Sequence, residues 1–230
     1  MNLTPTDFQN LLMDNGFPLP KFGADGHWGT ETSNAIQAWF RAETDLLNAN
    51  APALPNSSGI VPADWMPDCT MDRVIIHWTA GAYVASENDR EHYHILVDGN
   101  GDLVKGKYPI TANVSTSDGD GYAAHTRNAN TRSIGIAVCA MAGAVESPFN
   151  PGQYPMTQEQ WQTLAQVAAD LCRRYLIPIG PRTVLSHGEV QGTLGIAQSG
   201  KWDVNKLPWD PQANPMLVND WFRQEVVGRL

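Results

Sequence analysis

The chain has 230 residues, 42% of them hydrophobic, enough for one sizeable core or for a core plus a small accessory unit. Its 24 acids outweigh 15 lysines and arginines, and a net charge of −9 excludes a sequence-independent grip on nucleic-acid phosphates or anionic lipid. Three cysteines (Cys69, Cys139, Cys172), odd in number and without CxxC spacing, make neither a disulfide framework nor a zinc-thiolate site and read as small core residues.

Residues Met1 to Asp7 carry neither a basic n-region nor an apolar h-region, and no apolar run approaches membrane-spanning length, so classical secretion is not encoded. Thr4-Pro5-Thr6-Asp7 opens a helix: an N-cap, a proline at the first helical position and an acid three residues after the cap, with Phe8, Leu11 and Leu12 on one face. A turn-rich stretch, Gly23 to Gly29, leads to a second helix on which Thr32, Ala35, Ile36, Trp39 and Phe40 recur as one apolar stripe. Taken alone this is a helical hairpin. The order Phe8-Gln9, then Asp25-Gly26-x-Trp28-Gly29-x-x-Thr32-x-x-Ala35-Ile36-x-x-Trp39-Phe40, resembles the small three-helix peptidoglycan-binding module of cell-wall hydrolases, which implies an all-α binding unit over residues 1–45. The following Asn, Ala, Pro and Ser crowd out any period, so 46–64 reads as a linker and 65–230 as the main domain.

That domain starts from Arg73 to Gly81. Val74, Ile75 and Ile76 are consecutive and β-branched, as in a central strand covered on both faces, and His77 stands where the strand meets a Thr-Ala-Gly turn. An imidazole there suits a metal or a reacting group, and equally a hydrogen-bonded core position. Glu91 to Val97 and Asp102 to Val104 predict two strands of a hairpin around Asp98-Gly99-Asn100-Gly101; period-2 alternation puts His92 and His94 on one face, like a metal pair, and Tyr93 on the other. The polar stretch Val114 to Asn130 is long for a connection, as functional loops are. Ser133 to Cys139 predicts a buried strand. Thr157-x-x-Gln160 is a capping box, and Trp161, Leu164, Ala168, Leu171 and Tyr175 follow as a helix stopped by Pro178. Thr183 to Glu189 repeats the opening pattern, a short strand delivering His187 into a loop; Lys201 and Asp203 stand downstream, and a last helix carries Leu217, Trp221 and Phe222. Alternating strands and helices predict an α/β (α+β) domain with a mixed central sheet flanked by helices.

Two strand-end histidines and a later carboxylate make a His₂-carboxylate set of the kind that leaves a catalytic zinc an open position. The ordered blocks Ile75-Ile76-His77-Trp78-Thr79-Ala80-Gly81, Tyr93-His94-Ile95 with Gly101, His125 with Asn130 and Ser133-Ile134-Gly135-Ile136, Leu185-Ser186-His187, and Lys201-x-Asp203 resemble the zinc N-acetylmuramoyl-L-alanine amidases, which include phage lysozyme amidases and animal peptidoglycan recognition proteins. The resemblance spans about residues 70–210. It implies Zn²⁺ held by His77, His187 and Asp203, Lys201 beside the scissile carbonyl, Tyr93 facing the attacking water, His94 in a supporting role, and Trp78, His125 and Asn130 as substrate contacts. For His125 and Asn130 an ordinary loop-stabilising hydrogen bond is the alternative. The implied reaction is hydrolysis of the amide joining N-acetylmuramic acid to L-alanine. Some family members carry a glutamate at the end of the Ser-Ile-Gly-Ile block, where this chain has Ala137; Glu189 is an alternative base, or else a loop cap or a partner of a ligand imidazole. Val204-Asn205 follows Asp203 where many relatives have Pro-Gly.

The resemblance further implies a monomer synthesised in the bacterial cytoplasm without a signal peptide and acting on peptidoglycan in the wall or periplasm, either as a phage endolysin released by a holin or as an injected effector with an immunity protein. A non-catalytic peptidoglycan receptor, or a zinc hydrolase of another amide, are the rival classes. No nucleic-acid or membrane partner is expected.

Overall fold

The computed structural model describes residues 4–27, 31, 32, 35, 38, 59–117 and 121–230. The chain divides into two compact units, Met1–Ser58 and Gly59–Leu230. Trp28, Gly29, Ile36, Trp39 and Phe40, on which the binding-module motif leans, lie outside the described residues, as does the linker up to residue 58.

In the first unit, helix α1 (Pro5–Asp14) begins as its sequence dictates. Thr4 Oγ1 accepts from the Asp7 amide at 3.2 Å while Asp7 Oδ2 accepts from the Thr4 amide at 2.9 Å, and Pro5 fills the first helical position. Leu12 is buried against Leu19 and Ala35, whereas Leu11 is 39% exposed and stands off the predicted face. The organising residue is polar. Buried Gln9 points Nε2 at Asp25 Oδ1, the His27 carbonyl and Thr32 Oγ1, and Oε1 accepts from the Gly26 amide at 2.7 Å. A fully partnered buried amide thus holds the Asp25-Gly26 turn, in which Gly26 adopts φ +80°.

The second unit is α+β. Strands β1 (Arg73–Trp78), β2 (Ile95–Val97), β3 (Leu103–Lys105), β4 (Ser133–Val138) and β5 (Val184–Ser186) form one mixed sheet in the order β3-β2-β4-β1-β5, with only the β2–β3 hairpin antiparallel. Side chains alternate across it. Val74, Ile76 and Trp78 of β1 and Ile134, Ile136 and Val138 of β4 enter the main core with helices α3 (Gln158–Tyr175) and α5 (Pro215–Val227). Ile75 and His77, with Gly135 and Ala137 in register beside them, take the other face. The candidate site is built there.

Three predicted elements differ. Glu91 and His92 do not extend β2: residues Glu87–His92 form helix α2, capped by Ser86 and Asp89, and Tyr93 is its C-cap. His92 and His94 therefore share no strand face and no metal pair exists. His187 does not sit in a loop but opens helix α4 (His187–Leu194), with Ser186 as N-cap. The described end of the predicted linker packs on the second unit, where buried Val61 donates its amide to Asp170 Oδ2 at 3.0 Å and Ala63–Trp65 form a 3₁₀ turn. Two other expectations are met: α3 carries the Thr157–Gln160 capping box and ends at Leu176 in the left-handed region, and the cysteines are free. On α5 Phe222 is buried, while Leu217 and Trp221 face outward. Among the described residues no helix is long and apolar enough to cross a membrane.

Candidate metal centre

His77 and His187 leave adjacent parallel strand ends, which is why residues so distant in sequence meet. His77 Nδ1 lies 3.0 Å and His187 Nδ1 3.2 Å from the same Asp203 Oδ2, and the imidazole rings cross edge-on at 4.7 Å between centroids. All three residues are buried. The outer ring nitrogens face separate partners: His187 Nε2 is 2.9 Å from Gln198 Oε1, and His77 Nε2 is 3.3 Å from His125 Nδ1 and 3.4 Å from Thr126 Oγ1.

The electrostatics favour a neutral His77 beside an ionised Asp203. Burial pushes the His77 pKa down to about 4, against the pull of its hydrogen bond to Asp203. Burial opposes ionisation of Asp203 too, but the close contacts with the His187 and His77 rings outweigh it and bring that carboxyl to about 2. Two imidazole nitrogens and a carboxylate oxygen, all buried and within 4.8 Å of one another, are the kind of ligand set that a divalent cation takes, so the residues fit a metal.

A cavity of about 490 Å³ opens over this group, lined among others by Trp78, Tyr93, Arg127, Lys201 and Trp202. Tyr93 stacks obliquely on His77 at 5.0 Å, and burial, then the charge of Asp203, push its hydroxyl above the ordinary phenol range. Lys201 stands at the rim, and its charge adds to what disfavours protonation of His77. Trp78 is only 6% exposed and packs edge-on against Trp202 at 4.7 Å.

Residues 67–206 match the family model described as N-acetylmuramoyl-L-alanine amidase. The chain belongs to that family. Among solved structures, similarity extends to the Ph2119 endolysin from the Thermus scotoductus MAT2119 bacteriophage Ph2119 (14% identity, 75% of this chain and 93% of that one, TM-score 0.41). It extends also to PlyL (17%, 72% and 92%, TM-score 0.40) and to the drosophila peptidoglycan recognition protein SD (18%, 60% and 85%, TM-score 0.35). No curated protein matches.

Other residues singled out in the amidase sequence lie in and around this site. His125, though only 6% exposed, lines the cavity, its Nδ1 2.8 Å from Thr126 Oγ1 and its ring lying on Gly135, where a Cβ would meet His125 Cγ at 2.3 Å. Burial, then the charges of neighbouring histidines, hold its pKa well below the ordinary value. Asn130 does not reach the cavity: its Oδ1 accepts from the Thr126 amide at 2.8 Å and its carbonyl from Asn113. His94, with its pKa lowered to about 4 by burial, accepts from the Gly135 amide at 3.0 Å and bonds Asn113 Oδ1 at 3.1 Å.

Glu189 is committed elsewhere. Both its carboxylate oxygens receive Arg223, at 3.0 and 3.1 Å, and one also caps α4 through the Ser186 amide. That removes it as a base and corrects the loop-cap alternative to a helix cap. Ala137 is fully buried opposite His77, and Val204 is buried after a cis peptide from Asp203. Two residues of the amidase escaped sequence reasoning: Asn113, whose amide ties the loop at Ala123 and Asn130, and Gln198.

Proposed function

We propose that the chain is a zinc-dependent hydrolase of the amide between N-acetylmuramic acid and L-alanine in peptidoglycan. The observation that carries this reading is the convergence of His77 Nδ1 and His187 Nδ1 on Asp203 Oδ2 at the floor of an open cavity. When bound, zinc supplies Lewis acidity, lowering the pKa of water to about 7 and polarising a carbonyl. His77, His187 and Asp203 would hold it. Lys201, at the rim, offers its ammonium to the carbonyl oxygen as negative charge develops there. Tyr93, kept a neutral phenol by burial and by Asp203, orients the attacking water by hydrogen bonding rather than removing its proton. The packed Trp78–Trp202 pair gives the substrate an apolar wall.

The first unit acts as the wall anchor, with residues 1–45 as the binding module. A recess of about 1050 Å³ in that unit, lined by Phe17, Pro18, Pro20, Phe22, His27 and Glu31 among others, supports this reading. The protein works as a monomer on bacterial wall, as an endolysin or an injected effector.

Mass spectrometry of purified sacculi after digestion tests the proposal: stem peptides with a free L-alanine amine are expected, their release stopped by a chelator and restored by Zn²⁺. Full activity in a preparation that metal analysis finds free of zinc would overturn it.

A further inference from the structure

Gln198 lies in the segment between α4 and Lys201, a polar residue only 4% exposed. Its backbone amide donates to Gln191 Oε1 at 3.0 Å, which ties the segment to the helix that His187 begins. The side-chain amide has a fixed sense, because Nε2 donates to the Arg127 carbonyl at 2.9 Å and approaches the Ile196 carbonyl at 3.4 Å. Oε1 is left facing His187 Nε2 at 2.9 Å. An amide oxygen only accepts, so the hydrogen of a neutral His187 ring sits on Nε2 and the Nδ1 lone pair is aimed at Asp203. Turning the ring over would break both contacts.

We propose that Gln198 is a positioning residue: it locks the ring and tautomer of His187 with Nδ1 facing the centre, and so sets the affinity of that centre for its metal. The inference rests on the zinc reading above. Its anchor, the Arg127 carbonyl, belongs to the same loop that sets His125 and Thr126 against His77, so one loop steadies both imidazoles. Groups that hold the far nitrogen of a ligating histidine typically change metal affinity by about 10–100-fold when removed.

The test measures the zinc dissociation constant of the full chain by chelator competition, together with the melting temperature of the metal-free protein. Gln198→Met keeps the volume and removes the acceptor; Gln198→Glu keeps an oxygen facing Nε2. A roughly 10–100-fold weaker affinity is expected for Gln198→Met, with a smaller loss for Gln198→Glu, which keeps an oxygen facing Nε2 but loses the donor to the Arg127 carbonyl. Wild-type affinity in Gln198→Met overturns the inference. So do equal affinity losses in both variants that follow a lower metal-free melting temperature, since a purely structural role predicts that pattern. Should Gln198→Met fail to fold, Gln198→Ala is compared with Gln198→Glu by the same two readouts. A wild-type chain that binds no zinc overturns the metal reading itself, and this inference with it.

Discussion

Lys201 and Glu189 each lie two residues from a proposed ligand, yet substitutions at them are expected to fail in opposite ways. Lys201 is exposed at the cavity rim and spans no packed element, so Lys201→Ala should leave the melting temperature unchanged and lower kcat by about 10²–10³, the usual loss for one well-placed charge-stabilising donor. Glu189 forms a largely buried pair with Arg223, whose Nη1 also reaches the Val184 carbonyl on β5. Breaking a buried pair on one side costs about 3–5 kcal/mol, so Glu189→Gln should lower the melting temperature while the folded fraction keeps its kcat. Steady-state kinetics beside thermal melts separate the two. A large loss of kcat in folded Glu189→Gln would return the carboxylate to the chemistry.

At the scale of elements, β1 and β4 were legible because β-branched residues, consecutive in β1 and alternating with Gly135 and Ala137 in β4, and buried on both faces, leave few alternatives. Helices α2 and α4 were not, and for a shared reason. Both are short and without an apolar stripe, so periodicity has nothing to grip; the usable signal was the capping box, Ser86-x-x-Asp89 and Ser186-x-x-Glu189, which outweighed the alternation seen around His92, Tyr93 and His94. The three proposed ligands could be read from motif order, and the structure brings them together. Asn113 and Gln198 could not, because their partners are largely backbone groups supplied by distant loops. Gly135 is where strand and site meet. Its missing side chain admits the His125 ring, and its amide bonds His94. Gly135→Ala should therefore cost about 1–3 kcal/mol by overpacking, read as a lower melting temperature, and weaken zinc binding in the same chelator competition. An unchanged melting temperature and affinity would mean that His125 moves aside without consequence.

At the scale of the whole molecule, division at Ser58 and Gly59 defines the cut that tests the anchor. A chain beginning at Gly59 keeps Val61 and its bond to Asp170, which a start further along would remove. If the first unit raises local concentration on a polymer of repeated sites, this shortened chain should lose activity on insoluble wall and keep it on small soluble muropeptides. Equal loss on both, in a chain shown by thermal melt to be folded, would make the first unit part of the catalytic machinery; equal activity on both would leave it without an anchoring role.

The parallel pairing that joins the ends of β1 and β5 also bears on how the chain is made. Val74 pairs with Ile134 on one side and with Val184 on the other, both synthesised long after it. Until those strands emerge, Val74-Ile75-Ile76 has no neighbour on either edge, and such an apolar run is an invitation to pair with other chains. The strand on which the site depends is thus among the earliest parts of its unit to be made and among the last to be secured. Sequence-distant pairing of this kind slows folding. Through the interval between the ribosome's passage of His77 and its passage of His187, this strand stays open to pairing with other chains.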